Sequence, residues 1–341
     1  MSDVPGHGFI RTVLGDYHVV PPGWVYTHEH LIIDSPLIAE KFPDIHLHDA
    51  ESAVTELSGC RDAGVVLAVD AMPASAGRDV LRLAEVSRRT GVTVVAATGL
   101  HHDRYYGPLH WSNRVDESEL VELFIADLMV GIDEFDYTGP LIRRSSSRAG
   151  IIKMATGGDQ PDNRDLRNLR VAAEVSVHTG CPVMTHCEGG YGGLGQVNEL
   201  MSGGVPASAI ILSHVDKSHD LGYVIGLAET GAILELDQGL REHGKGLEST
   251  TIRMISALVE HGFGSQIVVG TDGARRSLWS SLGGSPGLSW LAESLPAMLG
   301  QIGIGSAQIE DLMRNNALHA LAWRDAVGTN PERIRSKGVK L

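Results

Sequence analysis

The feature that most constrains this chain is an alternation. Eight short apolar or β-branched runs recur along its 341 residues, each followed by a helix-like segment and a glycine-bearing break: WVYTHEHLIID, GVVLAVDA, GVTVVAATG, GIIKMATGG, CPVMTHC, AIILSHVD, GAILELDQ and QIVVGTDG. The intervening segments, such as AESAVTELSGCRDA, ESELVELFIADLMVG and TTIRMISALVEHG, carry apolar residues at i, i+3, i+4 spacing and mostly end near Gly, which favours the left-handed cap of a helix. Strands that alternate with helices build a parallel sheet buried on both faces, and such strands read as continuous apolar runs. A doubly wound sheet would place a G-x-G-x-x-G phosphate loop after an early strand, and none of these strand–helix turns carries one. The expected fold class is therefore α/β, a (β/α)8 TIM barrel. It would occupy 1–341 as one domain, with a short N-terminal strand or hairpin at about 8–22. Two closing helical stretches are expected in SPGLSWLAESLPAML and AQIEDLMRNNALHALAW.

Composition narrows the class further. A hydrophobic content of 43% is ample for one large core. The net charge of −14, from 42 acidic against 28 basic residues, argues against nucleic acid or an anionic membrane surface as partner. No apolar stretch approaches the roughly 20 residues that span a bilayer. The opening MSDVPGHGFIRTV has neither the basic nor the apolar region of a signal peptide. Cys60, Cys181 and Cys187 are too few and too scattered for a disulfide framework, so a reduced, cytoplasmic setting is expected.

In such a barrel the active site forms at the C-terminal ends of the strands. The first run ends in Thr27-His28-Glu29-His30, and residues two apart on a strand face the same way, so His28 and His30 aim together into the barrel mouth. The fifth run ends in Thr185-His186, the sixth in Ser213-His214 and the eighth in Thr271-Asp272. Any one of these reads equally as a core histidine or a helix-capping aspartate. Four runs delivering metal-capable groups to one rim point to a metal centre. The fourth run adds a lysine, Lys153, inside the apolar stretch AGIIKMATGG. A buried ammonium costs several kcal/mol, roughly, unless it is paired, deprotonated or chemically altered. Four imidazoles and one carboxylate leave two divalent cations with excess positive charge. A neutral lysine amine that adds CO2 becomes a carbamate, an anionic oxygen ligand able to bridge two metals, and the ammonium problem vanishes.

His28-x-His30, Lys153, His186, His214 and Asp272, each at the end of its run, together resemble the full ligand set of the phosphotriesterase family of the amidohydrolase superfamily. The resemblance spans nearly the whole chain, from IRTVLG to NNALHALAW. It implies that His28, His30 and Asp272 hold the more buried of two divalent metals, and His186 and His214 the more exposed one. Carboxylated Lys153 and a hydroxide would bridge them. The bridging hydroxide would attack the substrate, and Asp272 would take up its proton for the leaving group. Zinc is the default for such an N/O ligand set, with manganese, cobalt or iron as alternatives. The resemblance also implies a homodimer.

The loops THCEGGYGGLGQ and TDGARRSLWSSLGGSPGLSW are similar to those of family members that hydrolyse phosphorylated sugar lactones. In that subgroup an arginine shortly after the last aspartate, a lysine in the seventh loop and a tyrosine hold the phosphate. Arg275 matches the arginine, Lys245 lies in the corresponding loop offset by one residue, and Leu278 stands where the tyrosine would be. Arg241 and Arg276 add cationic charge nearby, and Tyr105 or Tyr106 in GLHHDRYYGPLHW is a candidate wall of the pocket. The expected partner is therefore a small molecule, a sugar lactone with or without phosphate. The competing readings are an organophosphate triesterase or aryl esterase, and a non-catalytic metal-containing binding protein. His46 and His48 also spell H-x-H but lie on no run, Cys187 alternates away from the site, and Glu188 reads as a substrate contact or a helix cap. His101 and His102 lack a partner pattern, and His178 and His261 sit near helix C-termini, where a cation suits the dipole.

Overall fold

A computed structural model describes residues 2–4 and 8–326; the rest of the 1–341 span expected for the barrel, 327–341 among it, lies outside these residues. Eight parallel strands pair in chain order: β1 (Trp24–Glu29), β2 (Val65–Asp70), β3 (Thr93–Leu100), β4 (Ala149–Thr156), β5 (Val183–Cys187), β6 (Ile210–Ser213), β7 (Ile233–Leu236) and β8 (Ile267–Val269). The seam between β8 and β1 is bridged by single bonds. Thr271 and Asp272 N–H donate to the His28 carbonyl at 3.2 and 2.9 Å, and Thr27 Oγ1 donates to the Val269 carbonyl at 2.9 Å. Gly270 permits this closeness, since a Cβ there would fall 2.7 Å from the His28 nitrogen.

Helices follow the strands: α1 (Ala50–Asp62), α2 (Val80–Thr90), α3 (Glu117–Met129), α4 (Asn163–Thr179), α5 (Gly193–Ser202), α6 (Leu221–Glu229), α7 (Thr250–Glu260) and α8 (Trp290–Gln301). Their starts are chemically marked. Asp49, Asp79, Asp116, Asp162, Asp220 and Ser249 each accept backbone N–H bonds as side-chain N-caps. Gly91 and Gly180 end α2 and α4 in the left-handed conformation. Helix α5 begins inside the glycine-rich GGYGGLGQ, so its start carries no side-chain cap. The last expected helix divides into Ser306–Glu310, a π-turn at Asp311–Asn315 and Asn316–Leu321. The buried Arg314 of that π-turn donates to the carbonyls of Val20, Pro21 and Gly23 beneath the barrel. Ahead of the barrel an antiparallel hairpin pairs Ile10–Thr12 with Gly15–Tyr17. No helix among the described residues is long and apolar enough to cross a membrane.

Two apolar cores result. One fills the space between strands and helices, with Leu57, Leu83, Phe124, Leu169 and Leu258 fully buried. The other fills the barrel interior with Leu67, Val69, Val95, Ile151, Met184, Ile211 and Val268. Alternation along the strands then decides what stands above that floor. Two residues past Ile151 comes Lys153, past Met184 comes His186, and past Ile233 come Glu235 and then Asp237. Gly99, inward on β3 and paired in register with Lys153, has φ +106°, and a Cβ on it would lie 2.0 Å from the Lys153 carbonyl oxygen. The apolar floor and the polar ring above it are thus consecutive layers of the same strands.

Candidate metal centre

The barrel brings all six expected ligands together. His28 and His30 are 1% and 5% exposed, and Asp272, His186 and His214 are buried with them. The Nε2 atoms of His28 and His30 lie 4.0 and 3.6 Å from Asp272 Oδ1, so their donor atoms cluster within 4.8 Å of one another. Lys153, 1% exposed, places Nζ 3.4 Å from His28 Nε2 and 3.3 Å from Ser213 Oγ. On the adjacent side, His214 Nε2 and His186 Nδ1 are 2.8 Å apart, and the His28 and His214 rings have centroids 4.8 Å apart. Two of these ligands are held in the left-handed region, His214 at φ +67° and Asp272 at φ +43°. Strained backbone of this kind persists where the surroundings over-determine it. Here the His214 N–H donates to Asp237 Oδ2 at 3.2 Å and the Asp272 N–H to the His28 carbonyl.

The electrostatics suit a cation. Burial pulls the Lys153 amine down to about 8 against the pull of Glu235, Asp237 and Asp272, so a neutral nucleophilic amine is accessible near neutral pH. Burial also lowers His30 and His186 well below the ordinary imidazole value and His214 to about 4, leaving them neutral, as metal binding requires. Asp272, despite burial, is held well below the usual carboxylate range by Arg241, His214 and Lys217. Burial and the Lys153 charge pull His28 down, but Asp237 and Glu235 hold it up at about 9, so a metal there would displace its proton. With neutral His30, His186 and His214, an ionised Asp272 and an amine able to become anionic, the set fits divalent metals of the zinc type.

A ring of carboxylates supports the ligands from below, and sequence reading did not single it out. Asp237 accepts from His214 Nδ1 at 2.9 Å and lies 3.3 Å from His28 Nδ1. Glu235 accepts from Ser213 Oγ at 2.9 Å and from Thr27 Oγ1. Asp216 receives the backbone N–H groups of Asp237 and Gln238 at 3.2 and 2.9 Å, fixing the end of β7. Carboxylates behind metal-binding histidines fix ring orientation and raise ligand basicity. The sequence signal was available, since Glu235 and Asp237 stand at i and i+2 on one strand, as His28 and His30 do.

Above the candidate ligands opens a cavity of about 250 Å³, lined by His101, Arg104, Tyr105, Glu188, Lys217, Arg241 and Arg275 among others, together with the metal-site residues. Of the expected substrate contacts, Arg275 is exposed at this mouth. Lys245 is not brought there; it pairs with Glu242 at 2.7 Å on an exposed turn. Tyr106 is buried, its hydroxyl donating to the Ala74 carbonyl at 3.0 Å and accepting from the His101 N–H at 2.7 Å, while Tyr105 forms the wall. Leu278 lies in the core. Arg276 donates to the His46 carbonyl, and His46 itself bonds Asp34 outside the site. Arg241 grips Asp272 from two sides, with Nη1 2.8 Å from Oδ2 and Nη2 donating to its carbonyl at 2.6 Å. Lys217 Nζ stands 3.7 Å from the same Oδ2.

Comparison with known proteins agrees with this geometry. The family model described as the phosphotriesterase family matches residues 8–321. A phospho-furanose lactonase of Mycoplasmopsis synoviae (strain 53) is 30% identical over 343 residues, 98% of this chain and 97% of that protein. An aryldialkylphosphatase of Saccharolobus solfataricus is 28% identical over 263 residues, 73% of this chain and 76% of that one. Among solved structures, an amidohydrolase from Mycoplasma synoviae has a TM-score of 0.89 at 29% identity, with 96% of each chain covered.

Proposed function

The chain belongs to the phosphotriesterase family and is a metal-dependent hydrolase, and from that premise we propose that it opens a sugar lactone, with a phosphorylated one as the preferred substrate, at a two-metal centre. The observation that carries the reading is the convergence of the His28, His30 and Asp272 donor atoms within 4.8 Å, beside the His186–His214 pair and the neutral-prone Lys153. His28, His30 and Asp272 would hold one metal and His186 and His214 the other, with Lys153 as a carbamate between them. Bound there, two divalent metals would supply a hydroxide at neutral pH and polarise the ester carbonyl.

The chain's own groups complete the reaction. Asp272 is the proton carrier. Oδ1 faces His28 and His30 while Arg241 and Lys217 engage Oδ2, and the carboxylate takes the proton of the attacking water and returns it to the alkoxide released from the ring. Asp237 holds His214 in orientation, and Glu235 anchors Ser213 and Thr27 beneath Lys153. Arg275 and Lys217 at the mouth suit an anionic substituent on the sugar. The similarity to an aryldialkylphosphatase favours a second reading, phosphotriester hydrolysis, for which the same centre would serve; the cation-rich mouth fits an anionic sugar better than an apolar aryl ester.

The test is pH-indicator hydrolysis of an aldono-1,4-lactone with and without a 5-phosphate, beside a dialkyl aryl phosphate, on metal-loaded protein. A hundredfold preference for the phosphorylated lactone corresponds to about 2.7 kcal/mol of selective transition-state binding and supports the reading. Equal rates on the two lactones refute the phosphate assignment, and faster turnover of the phosphotriester refutes the lactonase assignment. For the carbamate, Lys153→Ala should abolish hydrolysis, with partial rescue by a short carboxylic acid; full activity without rescue refutes that role.

A further inference from the structure

Glu188 follows β5 and opens the 3-10 turn Glu188–Gly190, which has no side-chain cap. One of its oxygens, Oε2, instead gathers three groups, one on β5 and two in the loop after β3: His186 Nε2 at 2.9 Å, His102 Nε2 at 3.1 Å and Arg104 Nη2 at 3.2 Å. An ionised carboxylate only accepts, so the His186 nitrogen facing it carries the ring proton. That leaves Nδ1 as the ligand atom, the one 2.8 Å from His214 Nε2. We propose that Glu188 is a positioning residue that presents His186 Nδ1 to the metal position shared with His214 and, through His102 and Arg104, fastens the loop after β3 to that ligand. The inference rests on the two-metal reading above.

The geometry separates this role from an ordinary surface charge. The His102 and His186 rings meet edge-on at 4.9 Å between centroids, so the carboxylate sits at the junction of two packed imidazoles. The fastened loop carries Tyr105 and Arg104, both of which line the cavity. One carboxylate therefore sets both the angle of a ligand and the position of the pocket wall. A histidine whose second nitrogen is fixed this way is a better and more rigid donor, and removing such a partner weakens metal binding about 10- to 100-fold.

The test uses the full chain loaded with Zn2+, as wild type, Glu188→Ala, Glu188→Gln and His102→Ala. Metal stoichiometry and affinity are read by chelator competition with elemental analysis, and metal-free melting controls for folding. The expected result is unchanged melting, one metal retained at wild-type affinity and the second weakened about 10- to 100-fold in Glu188→Ala. Glu188→Gln, which keeps an accepting oxygen without charge, should fall between. His102→Ala should keep both metals and raise KM for the lactone, since it frees the loop and not the ligand. Wild type binding two metals with Glu188→Ala binding both as tightly overturns the positioning role alone. Wild type binding a single metal overturns the two-metal reading and the role together. An unchanged KM in His102→Ala overturns the loop-fastening half.

Discussion

Replacing Lys153 by methionine should stabilise the metal-free protein while abolishing its hydrolytic activity. The side chains have similar length, and Lys153 makes only long polar contacts, 3.3 Å to Ser213 and 3.4 Å to His28, so packing changes little. What changes is the buried charge. The amine titrates at about 8 in the folded protein and at 10.5 ordinarily. Below pH 8 it is protonated in both states, and the fold bears the full cost of the buried ammonium. Between 8 and 10.5 folding releases the proton and the cost falls; above 10.5 the group is neutral in both states and the cost is gone. At 1.36 kcal/mol per unit, the gain from Lys153→Met is about 3 kcal/mol at pH 7 and about 1 kcal/mol at pH 9.5. The assay is urea unfolding of chelator-treated protein in CO2-depleted buffer at both pH values. A variant less stable than wild type at pH 7, or a gain that does not shrink at pH 9.5, would refute the reasoning.

Three further outcomes follow from the geometry. Asp272→Asn should retain metal at reduced affinity and lose at least a hundredfold in kcat; near-normal turnover in a steady-state assay would remove Asp272 from proton transfer. Arg241→Met deletes a charge-assisted pair with Asp272 and a bond to its carbonyl, together worth about 1–3 kcal/mol, so kcat/KM should fall about 10- to 100-fold with the melting temperature little changed. Unaltered kcat/KM would return Arg241 to the cavity wall. Gly99→Ala places a methyl 2.0 Å from the Lys153 carbonyl in a left-handed backbone, so it should destabilise the fold and displace Lys153. A variant with wild-type melting and wild-type metal content would contradict the close approach.

The parts of this protein governed by a repeat are the parts that could be read in advance. The i, i+2 spacing puts His28 and His30 on one side at the end of β1, past a register shift between Tyr26 and Glu29, and the apolar runs end where His186, Ser213 and Asp272 stand. The same rule covers Glu235 and Asp237, whose charges sit in a run that otherwise looks like buried strand. Lys217 and Arg241 are different. They reach Asp272 from loops after β6 and β7, where no periodicity relates sequence position to direction, and only barrel closure brings them within 3.7 and 2.8 Å. Tyr105 and Tyr106 show the same limit at finer scale. The turn Asp103–Tyr105 sends the first outward to the cavity and the second inward to bond Ala74. Glu188, a candidate cap or substrate contact in sequence, finds its partners 84 and 86 residues back in the chain, at Arg104 and His102. Helix α5 hid in a glycine-rich stretch that reads locally as loop.

The layered barrel interior has one more consequence. Beneath the candidate ligands, Val69, Val95, Ile151, Met184, Ile211 and Val268 form a floor with essentially no exposure. That floor is an insulator: no polar group in it offers ions or protons a route toward the far end of the barrel. In the proposed reaction, substrate, hydroxy-acid product, released proton and the CO2 that would carboxylate Lys153 would then share the opening above, past Arg275 and Tyr105. Traffic through such a one-ended vessel would be sequential, so product lodged at the mouth would obstruct both the next substrate and, in the proposed carbamate, renewal of the lysine modification.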